Sequence, residues 1–457
     1  MNKKRSAFSG KIGYVLSAAG ASVGLGNIWR FPYLAAKYGG GIFLLVYIIL
    51  ALTFGYTMIV AESALGRMTR KSPVGAFRSF AKGKKVGWLS FGGWINAIIP
   101  VLIVPYYSVI GGWVVKYLFE YIRGNGSKLA EDGYFSGFIS NGGATEICFV
   151  IFCMFTLVII YAGVQKGIER VSKIMMPILV VLSVIIAIYS VTRPGAIEGV
   201  KYFLVPNVKN FSWMTVVAAM GQMFYSLSIA MGILVTFGSY MRKDTSIEDS
   251  TRNVEIFDTA IAMMAGLMII PAVFAFSGGD PDTLQAGPSL MFITIPKVFA
   301  NMGFGTAVGI LFFVLVLFAA VTSSIALTES AVSTFEDELG WGRKKATVLT
   351  GVIMIALGTL SCLGYGPLDF VKIIGMQFLD FFDFLTNSVM MPIAALMTSL
   401  LVSRVIGVDK IEEEIRHGES AFRRKKIFVV MIKYLCPIFA LIILASTVAN
   451  AFGWIAM

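Results

Sequence analysis

The chain has 457 residues, 57% hydrophobic and 14% charged, a balance that excludes an ordinary soluble domain and indicates a polytopic membrane protein. Its formal net charge of +12 does not indicate nucleic acid, because Lys and Arg cluster in alternate loops, where they report orientation. One histidine, His417, in a charged loop and the absence of any nucleotide-phosphate, metalloprotease or Ser/His/Asp pattern argue against an enzyme.

Residues 1–5 are basic and lead without a cleavage site into a first apolar segment, about 12–36, so no cleavable signal is expected and the N-terminus is placed in the cytoplasm. The segment is long enough to span a bilayer, yet its middle carries Gly20, Gly24 and Gly26, each costing about 1 kcal/mol in a helix, with Ser22 and Asn27 competing for backbone groups. A helix broken at membrane depth must face protein or a water-filled cavity. The break therefore predicts a site: freed carbonyls for a cation, and N–H groups near Leu25 and Gly26 for an anion such as a carboxylate.

The second span, about 40–65, carries Glu62 and is followed by a basic loop with Arg67, Arg70, Lys71, Arg78, Lys82, Lys84 and Lys85. The third, about 88–119, contains Pro105-Tyr106-Tyr107, and a Gly/Ser/Asn-rich outer loop follows over 123–145. Spans four (about 146–162) and five (about 172–191) flank a short inner loop with Lys166, Arg170 and Lys173. After an outer stretch, 192–211, span six runs over 213–240 and is interrupted between Phe224 and Gly232.

Two interrupted helices five spans apart predict inverted repeats, about 11–192 and 213–404, with the site between the breaks and an extra helix over about 426–453. An inner loop over 242–252 precedes span seven, about 254–276, which carries Asp258. An outer segment, 277–304, with Pro281, Pro288 and Pro296 is expected to form a re-entrant or helical lid. Span eight, about 306–334, holds Thr322-Ser323-Ser324; span nine covers about 346–363, and span ten, about 368–402, carries Asp380 and Asp383. A charged loop, 404–426, precedes a last span ending at Met457. The total is about eleven all-α spans in a single transporter domain, which puts the C-terminus outside.

The four cysteines, Cys148, Cys153, Cys362 and Cys436, lie in apolar runs and read as packed small side chains rather than disulfides or metal ligands. Ionisable residues within spans default to function, and here they are Arg30, Glu62, Asp258, Asp380 and Asp383. Carbonyls near Gly20 and Val23, hydroxyls of Thr322, Ser323 and Ser226, the Asn27 amide and the Asp258 carboxylate form an all-oxygen set that suits an alkali or alkaline-earth ion. The low carboxylate count favours a monovalent one. Alone, Thr322-Ser323-Ser324 reads as interhelical hydrogen bonding, but two broken helices change that balance.

The run Gly24-Leu25-Gly26-Asn27-Ile28-Trp29-Arg30-Phe31-Pro32, with Gln222 through Gly232, Thr322-Ser323-Ser324 and Asp383, resembles bacterial members of the neurotransmitter:sodium symporter family, which have the leucine-transporter fold. The resemblance covers essentially the whole chain, short of the family's twelfth helix. It implies two sodium sites. One uses the carbonyls of Gly20, Val23 and Ala319 with the hydroxyls of Thr322 and Ser323; the other uses the Ser22 carbonyl, Asn27, Ser226, Asp258 and the substrate carboxylate. That carboxylate would meet the N–H groups of Leu25 and Gly26 and the Tyr107 hydroxyl, and the substrate ammonium the carbonyls of Ser22, Tyr225, Ser226 and Ser228.

The same resemblance implies a side-chain pocket of Ile103, Tyr225, Ser226, Met231, Ser323 and Leu327. Arg30, Asp383 and Gln222 would close an outer gate, and Arg5 with Asp337 an inner one. Where the family usually has Asn this chain has Asp258, and where chloride-dependent members have Ser it has Ala262, so chloride is not expected. The expected activity is sodium-driven import of a neutral, large hydrophobic or aromatic amino acid across the inner (plasma) membrane. No nucleic acid and no obligatory protein partner are expected beyond the lipid bilayer. The alternatives are an amino-acid sensor on the same fold and a proton-coupled transporter in which Asp258 titrates.

Overall fold

The computed structural model describes residues 5–81, 87–277 and 287–454. Lys82, Lys84 and Lys85 of the basic loop, Pro281 of the outer segment and Met457 at the end of the last span lie outside these residues. Among the described residues, nine helices are long and apolar enough to cross a membrane: Gly41–Thr69, Gly87–Ile122, Gly142–Tyr161, Val164–Val191, Ile247–Ser277, Gly305–Leu339, Arg343–Leu363, Phe378–Ile406 and Lys425–Ala451. Two further apolar segments are each split in two, and with them the architecture is the all-α polytopic one expected of about eleven spans.

The breaks fall where glycine and small polar residues are concentrated. In the first, Lys11–Ser22 ends as Val23 turns extended, and the chain resumes through a π-helical turn, Gly26–Arg30, into Phe31–Lys37. In the second, Trp213–Ser226 and Ile233–Tyr240 are separated by a stretch in which Ser228, Ala230 and Gly232 all have positive φ. Positive φ strains Ser228 and Ala230, and such strain persists only where surroundings hold it. They do so here: Glu62 accepts the Ala230 N–H at 2.8 Å, and the Ser228 hydroxyl donates to the Ala21 carbonyl at 2.9 Å. The second broken helix also starts firmly, because Ser212 and Thr215 form a reciprocal capping box.

Burial orders the helices. Gly87–Ile122 and Gly305–Leu339, whose most apolar windows are 78% and 72% buried, run along each other beside the two breaks. Gly142–Tyr161 and Lys425–Ala451, at 39% and 33%, lie at the periphery.

Several segments expected as loops are helical: Pro73–Ala81, Tyr134–Ser140, Ala196–Leu204 and Val408–Arg416. The outer segment holds a short apolar helix, Leu290–Ala300, which seats Phe292 against Trp113 and Tyr117. The tenth span starts later than expected, at Phe378 rather than near Leu368, because the preceding turns include Ile374 and Gly375 at positive φ. All four cysteines are free, and three are buried.

Candidate substrate and ion site

The two breaks meet around a small cavity. One wall is the first break, from Ala21 to Asn27, and the second break contributes Tyr225, Ser228, Met231 and Ile233. The long helices Gly87–Ile122 and Gly305–Leu339 add Ile103, Tyr107, Ser323 and Leu327. Ser22, Leu25, Gly26, Ile103, Tyr107, Tyr225, Ser228, Met231, Ser323 and Leu327 therefore converge as the sequence suggested. Ser226 does not join the lining, because its hydroxyl turns away to donate to Asp258. Ala21, Gly24 and Ile233 join it unforeseen.

The glycines of the first break are needed for close approach as well as for flexibility. A methyl at Gly26 would sit 2.4 Å from the Tyr225 ring, and one at Gly24 would sit 2.6 Å from the Ser323 hydroxyl. At the apex of the break the Leu25 N–H donates to the Tyr107 hydroxyl at 3.3 Å, and the Gly24 N–H to the Asn27 side-chain oxygen at 3.2 Å.

Oxygen atoms are in surplus on one side of the first break. The Ser323 hydroxyl lies 3.3, 3.2 and 3.3 Å from the carbonyls of Gly20, Ala21 and Val23, but it has one hydrogen to donate. The neighbouring Thr322 hydroxyl donates back within its own helix to the Phe318 and Ala319 carbonyls at 2.9 and 3.2 Å. This excess of acceptors over donors fits a hard cation without thiolate or imidazole ligands.

A second polar cluster lies across the break. Asn27 Nδ2 donates to Ser226 Oγ at 2.9 Å and to Asp258 Oδ1 at 2.8 Å, Ser226 Oγ donates to the same oxygen at 2.8 Å, and Tyr47 donates to Asp258 Oδ2 at 2.7 Å. All four residues are buried. Tyr47 was missed in the sequence, where its only signal is a tyrosine in the middle of an otherwise apolar run.

The gates differ. Arg5 pairs with Asp337 at 2.6 Å, donates to Ser239 and Ser333 at 2.9 and 2.7 Å, and lies over the Tyr240 ring, while Asp337 also accepts the Ser72 N–H at 2.6 Å. Arg30 and Asp383, expected with Gln222 to close an outer gate, make no direct ion pair here: the Arg30 guanidinium stacks on the Tyr225 ring at 5.4 Å, and Asp383 accepts from Tyr106 and Asn387 at 3.1 and 2.6 Å. Gln222 is at this end too, donating to the Gly26 carbonyl at 3.0 Å. The physical reason is that Asp383 already has neutral donors within reach, whereas Arg30 has an aromatic face beside it.

The Arg5–Asp337 pair yields a first prediction. Arg5→Ala removes several hydrogen bonds of about 1 kcal/mol each, and labelling of a cysteine placed at buried Val15 should quicken roughly tenfold. An unchanged labelling rate would show that the pair does not hold this face shut.

A profile of the sodium:neurotransmitter symporter family matches residues 5–127 and 134–453. The sodium-dependent transporter YhdH of Bacillus subtilis is 36% identical, over 91% of this chain and 91% of its own length. A sodium-dependent transporter of Haemophilus influenzae is 32% identical over 97% of this chain and 98% of its own. Among solved structures, MhsT in complex with L-phenylalanine superposes with a TM-score of 0.86 at 36% identity, covering 97% of this chain and all of that one. With matching sequence along nearly its whole length and the same arrangement of helices, the chain belongs to the sodium:neurotransmitter symporter family.

Proposed function

We propose that the protein is a sodium-coupled symporter that imports a neutral, large hydrophobic or aromatic amino acid by alternating access, independently of chloride. The observation that carries this reading is the cavity between the breaks. It offers the Leu25 N–H and the Tyr107 hydroxyl to a carboxylate, backbone carbonyls to an ammonium, and an apolar lining of Ile103, Met231 and Leu327 to a side chain. No acidic residue in that lining can stand in for the carboxylate of an amine substrate. Burying a charged side chain there without a partner would cost several kcal/mol. The family and the phenylalanine bound to the structural relative support the same reading.

Two sodium ions are assigned as co-substrates. One is placed among the carbonyls of Gly20, Val23 and Ala319 and the hydroxyls of Thr322 and Ser323. The other is placed among the Ser22 carbonyl, Asn27, Ser226, Asp258 and the substrate carboxylate, so that the ion and the amino acid bind as one neutralised unit. Arg5 and Asp337 latch the cytoplasmic face, Arg30, Gln222 and Asp383 line the route to the outside, and the two halves, 11–192 and 213–404, rock about the site in the plasma membrane.

The test is uptake of labelled amino acids into proteoliposomes with an imposed inward sodium gradient. Concentrative, sodium-dependent uptake with phenylalanine or leucine above glycine and alanine is expected. Binding without accumulation would indicate a sensor, and uptake that follows pH and ignores sodium would indicate proton coupling; either overturns the reading. Asn27→Ala and Thr322→Ala should each raise the sodium concentration for half-maximal binding about tenfold, because each removes an oxygen where water cannot easily replace it. Wild-type sodium dependence in either variant would remove that residue from the site.

A further inference from the structure

A groove unrelated to the transport cavity opens on the face that carries the N-terminus, between the end of Gly142–Tyr161 and the start of Arg343–Leu363. Its lining has two parts. Lys344 and Lys345 form a basic rim beside Tyr161 and Trp341, and Val348 and Val352 form an apolar trough leading toward the membrane interior.

The groove is prebuilt. Arg343 holds its two walls together by donating to the Ile160 carbonyl at 2.8 Å, and is itself fixed by Glu329 at 2.5 Å. The nearby acids are engaged elsewhere, Glu329 and Glu336 with Arg343 and Glu338 with Arg78, so among the described residues Lys344 and Lys345 face the groove without a carboxylate partner. Lys344 instead lies over the Tyr161 ring, 5.6 Å from its centre. The trough continues onto a lipid-facing surface: Val348 and Val352, both on the Arg343–Leu363 span, are 62% and 60% exposed. Tyr and Trp at the level of the lysines mark the headgroup boundary.

We propose that this groove binds one anionic phospholipid of the adjoining leaflet, its phosphate held by Lys344 and Lys345 and one acyl chain lying along Val348 and Val352. Charge complementarity selects this occupant: two unpaired ammonium groups at headgroup depth, directly above an apolar channel, match a negative phosphate attached to a hydrocarbon chain. A zwitterionic lipid carries its own cation and gains less.

Native mass spectrometry of the detergent-purified full-length protein tests this, with phosphatidylglycerol and phosphatidylcholine of identical acyl chains as probes. The wild type should retain one phosphatidylglycerol in preference to phosphatidylcholine. The double variant K344Q/K345Q should lose that preference by tenfold or more, whereas K344R/K345R keeps it, as does K410Q/K426Q, which removes two exposed lysines from the Arg404–Lys426 region of the same face. Equal retention of the two lipids by the wild type, undiminished retention by K344Q/K345Q, or an equal loss in K410Q/K426Q would overturn the proposal. So would lipid found only on a dimer, which would make the groove a contact between copies of the chain. None of these readings depends on transport activity.

Discussion

Asp258→Asn is expected to abolish sodium-driven uptake and to raise the sodium requirement for binding by about 100-fold. The carboxylate is buried, and both of its oxygens act purely as acceptors, Oδ1 toward Asn27 and Ser226 and Oδ2 toward Tyr47. An asparagine can keep its oxygen toward Asn27 and Ser226 and turn its NH2 to the Tyr47 oxygen, because the Tyr47 hydroxyl can rotate to donate to Ser226 Oγ at 3.1 Å. The hydrogen bonds can therefore be kept, and what the variant loses is the buried negative charge that would balance a bound cation.

The same cluster predicts the response to chloride. With gluconate in place of chloride, wild-type uptake should be unchanged, because Asp258 supplies the charge itself. Chloride should rescue the Asn variant only when Ala262, one turn along the same helix and fully buried, is also changed to Ser to provide a donor. A large loss of wild-type uptake in gluconate, or wild-type sodium dependence in Asp258→Asn, would refute this assignment.

Gly26→Ala should reduce substrate affinity by about 10- to 100-fold, the range that corresponds to overpacking a tight site by roughly 1–3 kcal/mol. The added methyl would lie 2.4 Å from one carbon of the Tyr225 ring and 2.5 Å from the next, so the ring must move. That ring lines the cavity and carries the Arg30 guanidinium on its face, so one methyl disturbs both the pocket and the outer approach. Gly24→Ala differs in kind, since its methyl meets the Ser323 hydroxyl at 2.6 Å and the Tyr107 hydroxyl at 3.1 Å. It should weaken sodium and substrate binding together, whereas Gly26→Ala weakens substrate binding first. Gly303→Ala, where nothing lies within 4 Å, is the control and should leave both unchanged. Isothermal titration of each variant separates these outcomes, and a Gly26→Ala protein with wild-type substrate affinity would show that Tyr225 does not shape the pocket.

The spans, their order and the positions of both breaks were readable from the amino-acid sequence, because apolar length and helix disruption are local properties. Gly20, Gly24 and Gly26 announce a break whatever surrounds them, and an oxygen-only set of side chains restricts the ion whatever its geometry. Helices in segments such as Pro73–Ala81 and Val408–Arg416 were not foreseen, although Val408, Ile411 and Ile415 recur at helical spacing and are buried along one face, because segments too short to span a membrane were read as loops between spans.

Tertiary structure decided which polar groups meet. Asn27 and Asp258 are 231 positions apart and Glu62 and Ala230 are 168 apart, and no local pattern relates them. The role of Tyr47 emerges only when the Gly41–Thr69 helix is packed against Ile247–Ser277 and its hydroxyl reaches Asp258. Ser226 lies beside the cavity in sequence, but the rotation of its helix directs it to Asp258 instead. Arg30 and Asp383 carry opposite charges, yet the structure satisfies each with a nearer partner, because in a packed interior a hydrogen bond or ring face already in place outweighs an attraction that would require both side chains to move.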